Sequence, residues 1–384
     1  MFYLPFPFQI LENARETGYS SSVLTLGFSR VWANLKRASV EELLQSEAPA
    51  LLERASVDVW ANACLPLEER KKLAYDCPVK RMFLVTASTV PSAAFQDLLI
   101  SLLLPIRVTL RPARNLVPLM KKLVEFLRTN APEMGERVEV CDVGHDDEAL
   151  KKIIAKHDVL NVSSSDETIA HYRSLLPKDR AVRVIEHGHR ISVAAVKEKD
   201  ILNMSAKDYE NLALDMTLWN GNGCLTPKVI FFSGEYEAAE GFAQVLSGVL
   251  DDVAMQYPEV TPDVSELVPV NSALQMATLK GVKLYRCQHN HDVIALFSQI
   301  IPFEPLLFPR VTSLVCVPSV VEAAAKLAPR GQAFARRKMP SARVIEKLRA
   351  AGFNYFCSFG QMQNPPLSWM HDGIGTLKPL LEKV

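Results

Sequence analysis

The sequence predicts an α/β protein with two mostly parallel β-sheets, and three observations support this. Short apolar runs typical of buried strands alternate with helical patterns from about residue 81 onward. The chain has 384 residues and is 48% hydrophobic, which is enough for two domains with cores. A polar helix and a glycine-containing loop separate two alternating series, so we place a domain boundary near Lys197–Asp200.

A helical segment precedes the first series. Ser39 starts a capping-box pattern, SVEE, which predicts two helices up to about Cys64, separated at Pro49. The first series then alternates strands and helices, in the order RMFLVTAS, PSAAFQDLLISLLL, IRVTL, PARNLVPLMKKLVEFLRT, RVEVCDV, DDEALKKIIAK and DVLNV, followed by the strand candidates AVRVIE and ISVAAV.

The second series follows the helix SAKDYENLALDMTLWN. Its strands are KVIFF, VKLYRC, DVIALF and TSLVCV, and its helices are EAAEGFAQVLSGVLDDVAMQY, SVVEAAAKLA and ARVIEKLRAAG. The end of the chain, NYFCSFGQMQNPPLSWMHDG, is rich in proline, glycine and aromatic residues. The predicted domains are therefore residues 1–198, residues 199–350 and a tail of residues 351–384.

Composition excludes several classes of function. Lys plus Arg and Asp plus Glu are both 43, and this zero net charge argues against non-specific nucleic-acid binding. The apolar N-terminus lacks a basic start, and no apolar run reaches the length of a membrane span. The seven scattered cysteines form no CxxC pair, which favours a reduced cytoplasmic compartment without structural zinc. His289 and His291 have no evident third ligand, so we predict no metal site.

The candidate reactive residue is Cys224, in the loop WNGNGCLTPK before the strand KVIFF. A thiol needs help from dipoles, charge or a base to act as a nucleophile, because its ordinary pKa is about 8.5. Gly221 and Gly223 allow backbone N–H groups to approach an oxyanion, and Asn222 adds a side-chain donor. The alternative is an ordinary buried thiol beside a turn. No GxGxxG or P-loop pattern follows any strand, so a nucleotide must be held differently.

Three stretches together resemble a known family: NGNGCLTPKVIFF, VIEHGHRISVAAV and FGQMQNPPLSWMHDG. They are similar to the acyl-CoA reductases that include the reductase subunit of bacterial bioluminescence fatty-acid reductase, a distant branch of the aldehyde dehydrogenase superfamily. The resemblance implies an aldehyde-dehydrogenase-like fold with a nucleotide-binding domain, a catalytic domain and a tail that returns to a domain or subunit interface. It also implies that NADPH or NADH reduces an acyl thioester to an aldehyde.

The resemblance implies a role for each matched residue. Cys224 matches the nucleophile and Glu186 the superfamily's glutamate base, while Asn222 and Thr89 are the candidate oxyanion donors. The implied cofactor-binding residues are Thr86, Ser88, Arg111, Ser164, Ser165, His187, Gly188 and Phe308. Among these, Arg111 stands where the superfamily has a lysine at the adenosine ribose, and Arg111 with Arg114 would favour NADPH through a 2′-phosphate.

Two departures from the superfamily pattern stand out. Thr89 replaces the oxyanion asparagine, and loss of one such donor costs about a hundredfold or more in rate. The glutamate at the nicotinamide ribose has no clear match, because alignment through Phe308 leaves Leu306 there, and Glu304 fits only with a shift.

His187 and His189 are candidates for tuning Glu186 or contacting the nicotinamide. Trp369, His371 and Asp372 are candidates for packing of the tail.

Three functions remain open at this point. The first is reduction of a fatty acyl thioester, with acyl-CoA or acyl carrier protein as donor, an acyl-transferring or synthetase partner subunit, and a homo-oligomeric assembly. The second is an NAD-dependent aldehyde dehydrogenase that releases acid and needs Glu186 as base. The third is a non-redox acyl-carrying or scaffold subunit whose cofactor site has decayed. Cofactor binding distinguishes the third from the others.

Overall fold

The structure is a computed structural model that describes residues 6–12, 14–49, 77–144, 146–298 and 305–382. The chain forms two compact units. The first consists of Met1–His189 with Pro366–Val384, and the second of Arg190–Pro365. The predicted second N-terminal helix, after Pro49, lies outside the described residues.

The first unit contains a five-stranded parallel sheet in the order β3-β2-β1-β4-β5. Strand β1 lies at the centre. The chain adds β2 and β3 on one side of it and then β4 and β5 on the other, so the strand order reverses between β1 and β4. Ligands of such sheets bind at this reversal. The strands are β1 (Arg81–Val85), β2 (Arg107–Arg111), β3 (Val138–Val140), β4 (Val159–Ser163) and β5 (Arg183–His187).

Helices surround this sheet because each connection between parallel strands needs a crossover. Pro91 begins α4 at a position where its missing N–H is not needed. Phe83 and Leu160, together with other buried residues of β1 and β4, pack against the buried faces of α7 and α8. The helices of this unit are α1 (Gln9–Glu12), α2 (Ser21–Asn34), α3 (Arg37–Glu47), α4 (Pro91–Ser101), α5 (Val117–Asn130), α6 (Pro132–Gly135), α7 (Asp147–Ile154) and α8 (Asp166–Ser174).

The second unit contains a seven-stranded sheet in the order β12-β11-β6-β7-β10-β9-β8. Only the edge strand β8 is antiparallel to its neighbour. The fully buried β9 and β10 match the continuous apolar runs expected of a covered parallel sheet. The strands are β6 (Ile191–Lys197), β7 (Pro227–Ser233), β8 (Lys283–Arg286), β9 (Val293–Phe297), β10 (Val311–Cys316), β11 (Gly331–Arg336) and β12 (Tyr355–Ser358).

The helices of the second unit are α9 (Glu198–Ile201), α10 (Ala206–Thr217), α11 (Tyr236–Gln256), α12 (Val264–Leu279), α13 (Val320–Ala325) and α14 (Ala342–Ala350). The sequence analysis missed α12, β11 and β12. Helix α12 carries Pro269 in its interior, which argues against a helix. Strand β11 reads GQAFAR and lacks β-branched residues, so its pattern does not indicate a strand.

The predicted domain boundaries differ from the compact units at two places. The predicted first domain, residues 1–198, includes β6, but β6 pairs with β7 and β11 in the sheet of the second unit. The predicted tail, residues 351–384, is divided between the units. Its first part supplies β12, and Pro366–Val384 belongs to the first unit.

The end of the tail is anchored by buried polar contacts within the first unit. The Glu47 carboxylate accepts hydrogen bonds from the backbone N–H groups of Thr376, Leu377 and Lys378, at 3.1, 2.6 and 3.0 Å. These groups lie at the start of α15 (Lys378–Leu381), where N–H groups have no partner within the helix. The end of the tail, Pro366–Val384, is therefore an integral part of the first unit.

Candidate active site

The loop before Cys224 has an unusual backbone. Helix α10 ends at Thr217, and a 3-10 turn, Leu218–Gly221, follows it. Trp219, Asn220 and Gly221 have φ values of 61°, 54° and 65°, so three consecutive residues lie in the left-handed region. Gly221 suits this conformation, and a Cβ there would lie 3.0 Å from Arg310 N. For tryptophan and asparagine the conformation is unfavourable, so the surroundings must stabilise it.

Arg310 holds the strained turn from a neighbouring segment. Its guanidinium Nη2 donates to Asn220 Oδ1 at 2.8 Å, and its backbone N–H donates to Asn220 O at 3.2 Å. The same guanidinium pairs with Glu259, at 2.6 Å from Nε, and with Asp292, at 3.0 Å from Nη1. All three charged side chains are almost completely buried. Burial raises the pKa of Asp292 to about 6, and Arg310 opposes this rise.

Cys224 follows this turn and is half-buried. Its carbonyl oxygen accepts a hydrogen bond from Ser192 Oγ on β6 at 2.7 Å, which ties the loop to the sheet. The backbone N–H of Asn222 donates to Trp219 O at 3.0 Å. The Asn222 side chain is half-buried, and Gly223 is buried. The turn before it and Ser192 of β6 thus hold the backbone at the cysteine.

The first part of the tail supports the same loop. Asp215 on α10 is fully buried, and its carboxylate accepts from the backbone N–H groups of Gly360, at 2.6 Å, and Met362, at 3.2 Å. Gln363 Nε2 donates to Thr226 Oγ1 at 3.0 Å, two residues after the cysteine. The recognisable tail motif therefore has a structural role beside the cysteine loop.

Phe308 lies in the segment that leads into Arg310. Lys228 Nζ, at the start of β7, donates to Phe308 O at 2.6 Å. Burial lowers the pKa of Lys228 to about 8, and Asp292 opposes this fall. Glu304, which the sequence analysis weighed as a cofactor residue, lies outside the described residues. Leu306 is packed against the core cluster of the second unit.

In the first unit, predicted cofactor residues lie at the carboxyl ends of adjacent strands. Thr86 follows β1 and Arg111 ends β2, and Thr86 N donates to Arg111 O at 3.1 Å. Both side chains have a buried polar atom, Thr86 Oγ1 and Arg111 Nε, without a hydrogen-bond partner among the described residues. Arg111 Nη2 donates to the carbonyls of Val143 and Gly144, at 3.2 and 3.3 Å.

Ser164 and Ser165 follow β4, on the other side of β1. Ser165 is the N-cap of α8 and accepts from Thr168 N at 3.3 Å. Gly188 lies close to the same helix, since a Cβ there would be 2.6 Å from Asp166 Oδ1. The Asp166 carboxylate accepts from His189 N at 3.0 Å. A side chain at position 188 would therefore displace the Asp166 carboxylate, a contact that the sequence did not predict.

Ser88 and Thr89 lie in the bend between β1 and α4. Tyr19 Oη donates to the Thr89 carbonyl at 2.9 Å and approaches the Ser88 carbonyl at 3.4 Å. Tyr19 itself is buried. The N-terminal helical segment therefore fixes the backbone of this bend, while the Ser88 side chain is exposed and that of Thr89 half-buried.

Glu186 forms an ion pair at the surface of the first unit. Its carboxylate receives two hydrogen bonds from Arg173 on α8, one of them from Nη2 at 2.7 Å. Its hydrogen bond and charge raise the pKa of Arg173. Both carboxylate oxygens are thus engaged by one guanidinium. This arrangement gives no support to the predicted role of Glu186 as a base.

His187 points away from Glu186, because neighbouring residues of a strand face opposite sides. Its Nδ1 lies 3.1 Å from Asp372 Oδ2, and its ring stacks on His371 with centroids 4.1 Å apart and planes 7° apart. The three residues are close enough to suggest a metal site. Nearly parallel stacked rings do not direct their in-plane lone pairs at one ion, so this arrangement favours packing of the tail over metal binding.

The predicted site residues thus fall into two groups. The first group lies at or just beyond the carboxyl ends of β1, β2, β4 and β5. It consists of Thr86, Ser88, Thr89, Arg111, Ser164, Ser165, Glu186, His187 and Gly188. Cys224, Asn222 and Phe308 lie in the second unit. Sequence reasoning missed Arg310 and Asp215. A charged residue beside an apolar strand, as in LLFPRVTSLV, is the signal that points to such buried charges.

Comparisons with known proteins agree with this architecture. The match to aldehyde dehydrogenase 21 from Physcomitrella patens covers 97% of this chain and 79% of that protein, with a TM-score of 0.67 and 12% identity. For a succinic semialdehyde dehydrogenase from Streptococcus pyogenes the coverages are 91% and 85%, with a TM-score of 0.55 and 13% identity. A search of curated proteins gives no match. The fold is that of aldehyde dehydrogenases.

The particular family follows from a family model. The model for acyl-CoA reductase (LuxC) matches residues 8–383, which is nearly the whole chain. This chain therefore belongs to the acyl-CoA reductase (LuxC) family, as the resemblance of its three motifs predicted, and it is an oxidoreductase that acts on acyl substrates. Among the described residues, no helix combines the length and apolar character needed to cross a membrane.

Proposed function

We propose that this protein reduces a fatty acyl thioester to the aldehyde, with NADPH or NADH as reductant and an acyl-cysteine on Cys224 as intermediate. Family membership supports the substrate class. The observation that carries the proposal is the cysteine loop, in which a half-buried thiol follows three left-handed residues, of which Asn220 is held by the buried Arg310. Strain of this kind is typical of functional loops.

The first half-reaction transfers the acyl group. The Cys224 thiolate attacks the thioester carbonyl carbon, the tetrahedral oxyanion forms, and the bond from carbon to the carrier sulfur breaks. The carrier thiolate leaves and takes a proton. Asn222 and Thr89 are the proposed side-chain donors to the oxyanion.

The second half-reaction reduces the acyl-cysteine. The nicotinamide cofactor supplies the hydride when it is bound. In our proposal Thr86, Arg111, Ser164 and Ser165 bind it at the carboxyl ends of β1, β2 and β4. The polar atoms Thr86 Oγ1 and Arg111 Nε fit this role, since both are buried and lack partners among the described residues. Collapse of the thiohemiacetal then releases aldehyde and restores the thiol.

Two features bear on the alternatives. An aldehyde dehydrogenase that releases acid needs a base for the deacylating water, and the ion pair of Glu186 with Arg173 disfavours this role. The buried polar atoms at the strand ends favour a retained cofactor site over a non-redox scaffold. Acyl-CoA or acyl carrier protein as donor, a synthetase-type partner and a homo-oligomer remain part of the proposal.

Acyl transfer can be tested apart from reduction. The protein is incubated with a panel of acyl-CoAs without cofactor, and the acylated peptide is identified by mass spectrometry. NADPH or NADH is then added, and its oxidation and the aldehyde are measured. We expect acylation at Cys224 and aldehyde formation, both abolished in Cys224→Ala.

Cys287→Ala is the matched control, since Cys287 is another half-buried thiol and burial raises its pKa far above the ordinary value. It should behave as the unmodified protein does. Acylation that persists in Cys224→Ala, or equal turnover by that variant, contradicts the proposal. Acylation without any cofactor oxidation favours the acyl-carrying alternative.

A further inference from the structure

The turn before Cys224 has an unfavourable backbone conformation. Trp219 and Asn220 are both in the left-handed region, which is unfavourable for residues with a Cβ atom. Asparagine tolerates this region better than most residues, whereas a buried tryptophan rarely occupies it. The turn persists only if its surroundings favour it over the extended or helical alternatives.

Arg310 supplies two of the contacts that favour the strained turn. It donates to both the side-chain and the main-chain oxygen of Asn220, and two such bonds define the orientation of the residue. Glu259 and Asp292 occupy other guanidinium nitrogens. Because Arg has a planar fork of donors, these carboxylates fix the direction in which Nη2 points. Arg310 itself has a φ of 53°, so both partners have left-handed backbones.

We propose that Asn220 and Arg310 form a clamp that positions Cys224, with Arg310 as a positioning residue for the proposed reaction. The clamp is four residues from the thiol and acts through the backbone of the loop. It also ties the loop to the segment containing Phe308, whose carbonyl is held by Lys228. The role of the clamp in turnover rests on the proposed function, whereas its effect on the thiol does not.

A purely structural role for this buried ion network predicts a different result. Such networks often affect only the stability of the fold. In that case, removal of the Asn220 amide lowers the melting temperature, but the folded protein keeps its thiol reactivity. A positioning role changes the reactivity of Cys224 under conditions where nearly all molecules are folded.

The test compares Asn220→Gly with the unmodified full chain at 20 °C. Glycine accepts the left-handed backbone and keeps the main-chain oxygen that accepts from Arg310 N, while it removes the side-chain acceptor of Arg310 Nη2, so the variant should fold. The rate of alkylation of Cys224 by iodoacetamide is followed by peptide mapping, with Cys287, whose pKa is raised by burial, as a thiol that should stay unmodified. We expect the rate at Cys224 to change by roughly tenfold or more, and kcat to fall by a similar factor, because small displacements of a reacting group have effects of this size.

Asn203→Gly is the matched control, since Asn203 lies beyond α9 and away from the loop. Its alkylation rate and kcat should equal those of the unmodified protein. Arg310→Lys keeps the charge beside Glu259 and Asp292 but loses the planar fork of donors. We expect its alkylation rate at Cys224 to change in the same direction as in Asn220→Gly. Unchanged alkylation of Cys224 in both Asn220→Gly and Arg310→Lys overturns the clamp. If the unmodified protein shows no reductase activity, the proposed function fails, and the alkylation rates still decide the clamp.

Discussion

The cysteine loop and the strand ends of the first unit prepare for chemistry in different ways. In the loop, buried charges already have their partners: Arg310 pairs with Glu259 and Asp292, and Asp215 binds two backbone N–H groups. At the strand ends, Thr86 Oγ1 and Arg111 Nε are buried without partners among the described residues.

This difference indicates which part is built for a covalent step and which for a ligand. A nucleophile must be held in place before the substrate arrives, so its loop is internally satisfied and strained. A binding site must leave polar groups unpaired for the ligand, and each buried unpaired group lowers the stability of the free protein. The predictions below test this contrast at one residue of the loop region and two of the first unit.

The largest expected effect concerns Lys228, beside the cysteine loop. Its folded-state pKa of about 8 lies below the ordinary value of 10.5, since burial disfavours the charged form. The unfolded chain therefore binds more protons between these values, and stability rises with pH across this window. The free energy of unfolding is measured for Lys228→Met and for the unmodified protein from pH 7.5 to 10.5. Over this range the stability of the unmodified protein should rise, relative to that of the variant, by up to about 3 kcal/mol.

Lys283→Met provides a control of opposite sign. A hydrogen bond and charge from Glu240 raise the pKa of Lys283, so its contribution is lost as pH rises through the folded value. Denaturant unfolding from pH 7.5 to above pH 10.5 measures both variants, because the window of Lys283 begins near its unfolded pKa of 10.5, where that of Lys228 ends. A pH-independent difference between Lys228→Met and the unmodified protein contradicts a lowered pKa of the buried Lys228.

The sequence allowed much of this architecture to be predicted, because helices with strong periodicity, such as α5, and strands with continuous apolar runs, such as β1 and β10, depend on local pattern. Cys224 was found through the glycines around it. The left-handed backbone of Trp219 was not predictable, since tryptophan carries no local signal for it and Arg310, which holds Asn220, lies ninety residues away. Likewise, the partner of Glu186 is set by the packing of α8 on β5, which only the tertiary structure reveals.

A smaller effect is expected from Thr86→Val. In the free protein this change removes a buried hydroxyl that has no partner among the described residues, so the free energy of unfolding should stay nearly constant or rise. If the hydroxyl binds cofactor, the Kd for NADPH should increase about fivefold to tenfold, which corresponds to one hydrogen bond. Fluorescence titration with NADPH measures the affinity.

Thr109→Val is the matched control in the same sheet. Thr109 is buried to a similar extent, but its hydroxyl lies 2.9 Å from His157 Nε2. This variant should lose about 1–3 kcal/mol of stability and keep its affinity for NADPH. If Thr86→Val and Thr109→Val lose equal stability and neither changes the Kd, the strand-end group has no role in binding the cofactor.

The smallest effect is expected from Glu186→Gln, although the superfamily resemblance places a base at this position. The carboxylate is bound by Arg173 at the surface, and reduction of an acyl-cysteine needs no deacylating water, so kcat should stay within about twofold and acylation of Cys224 should be slowed but present. Glu240→Gln, which breaks a comparable surface pair with Lys283, is the control for loss of an ion pair alone. A fall in kcat of a hundredfold in Glu186→Gln, with Glu240→Gln unaffected, assigns Glu186 to the reaction and requires its pair with Arg173 to open during turnover.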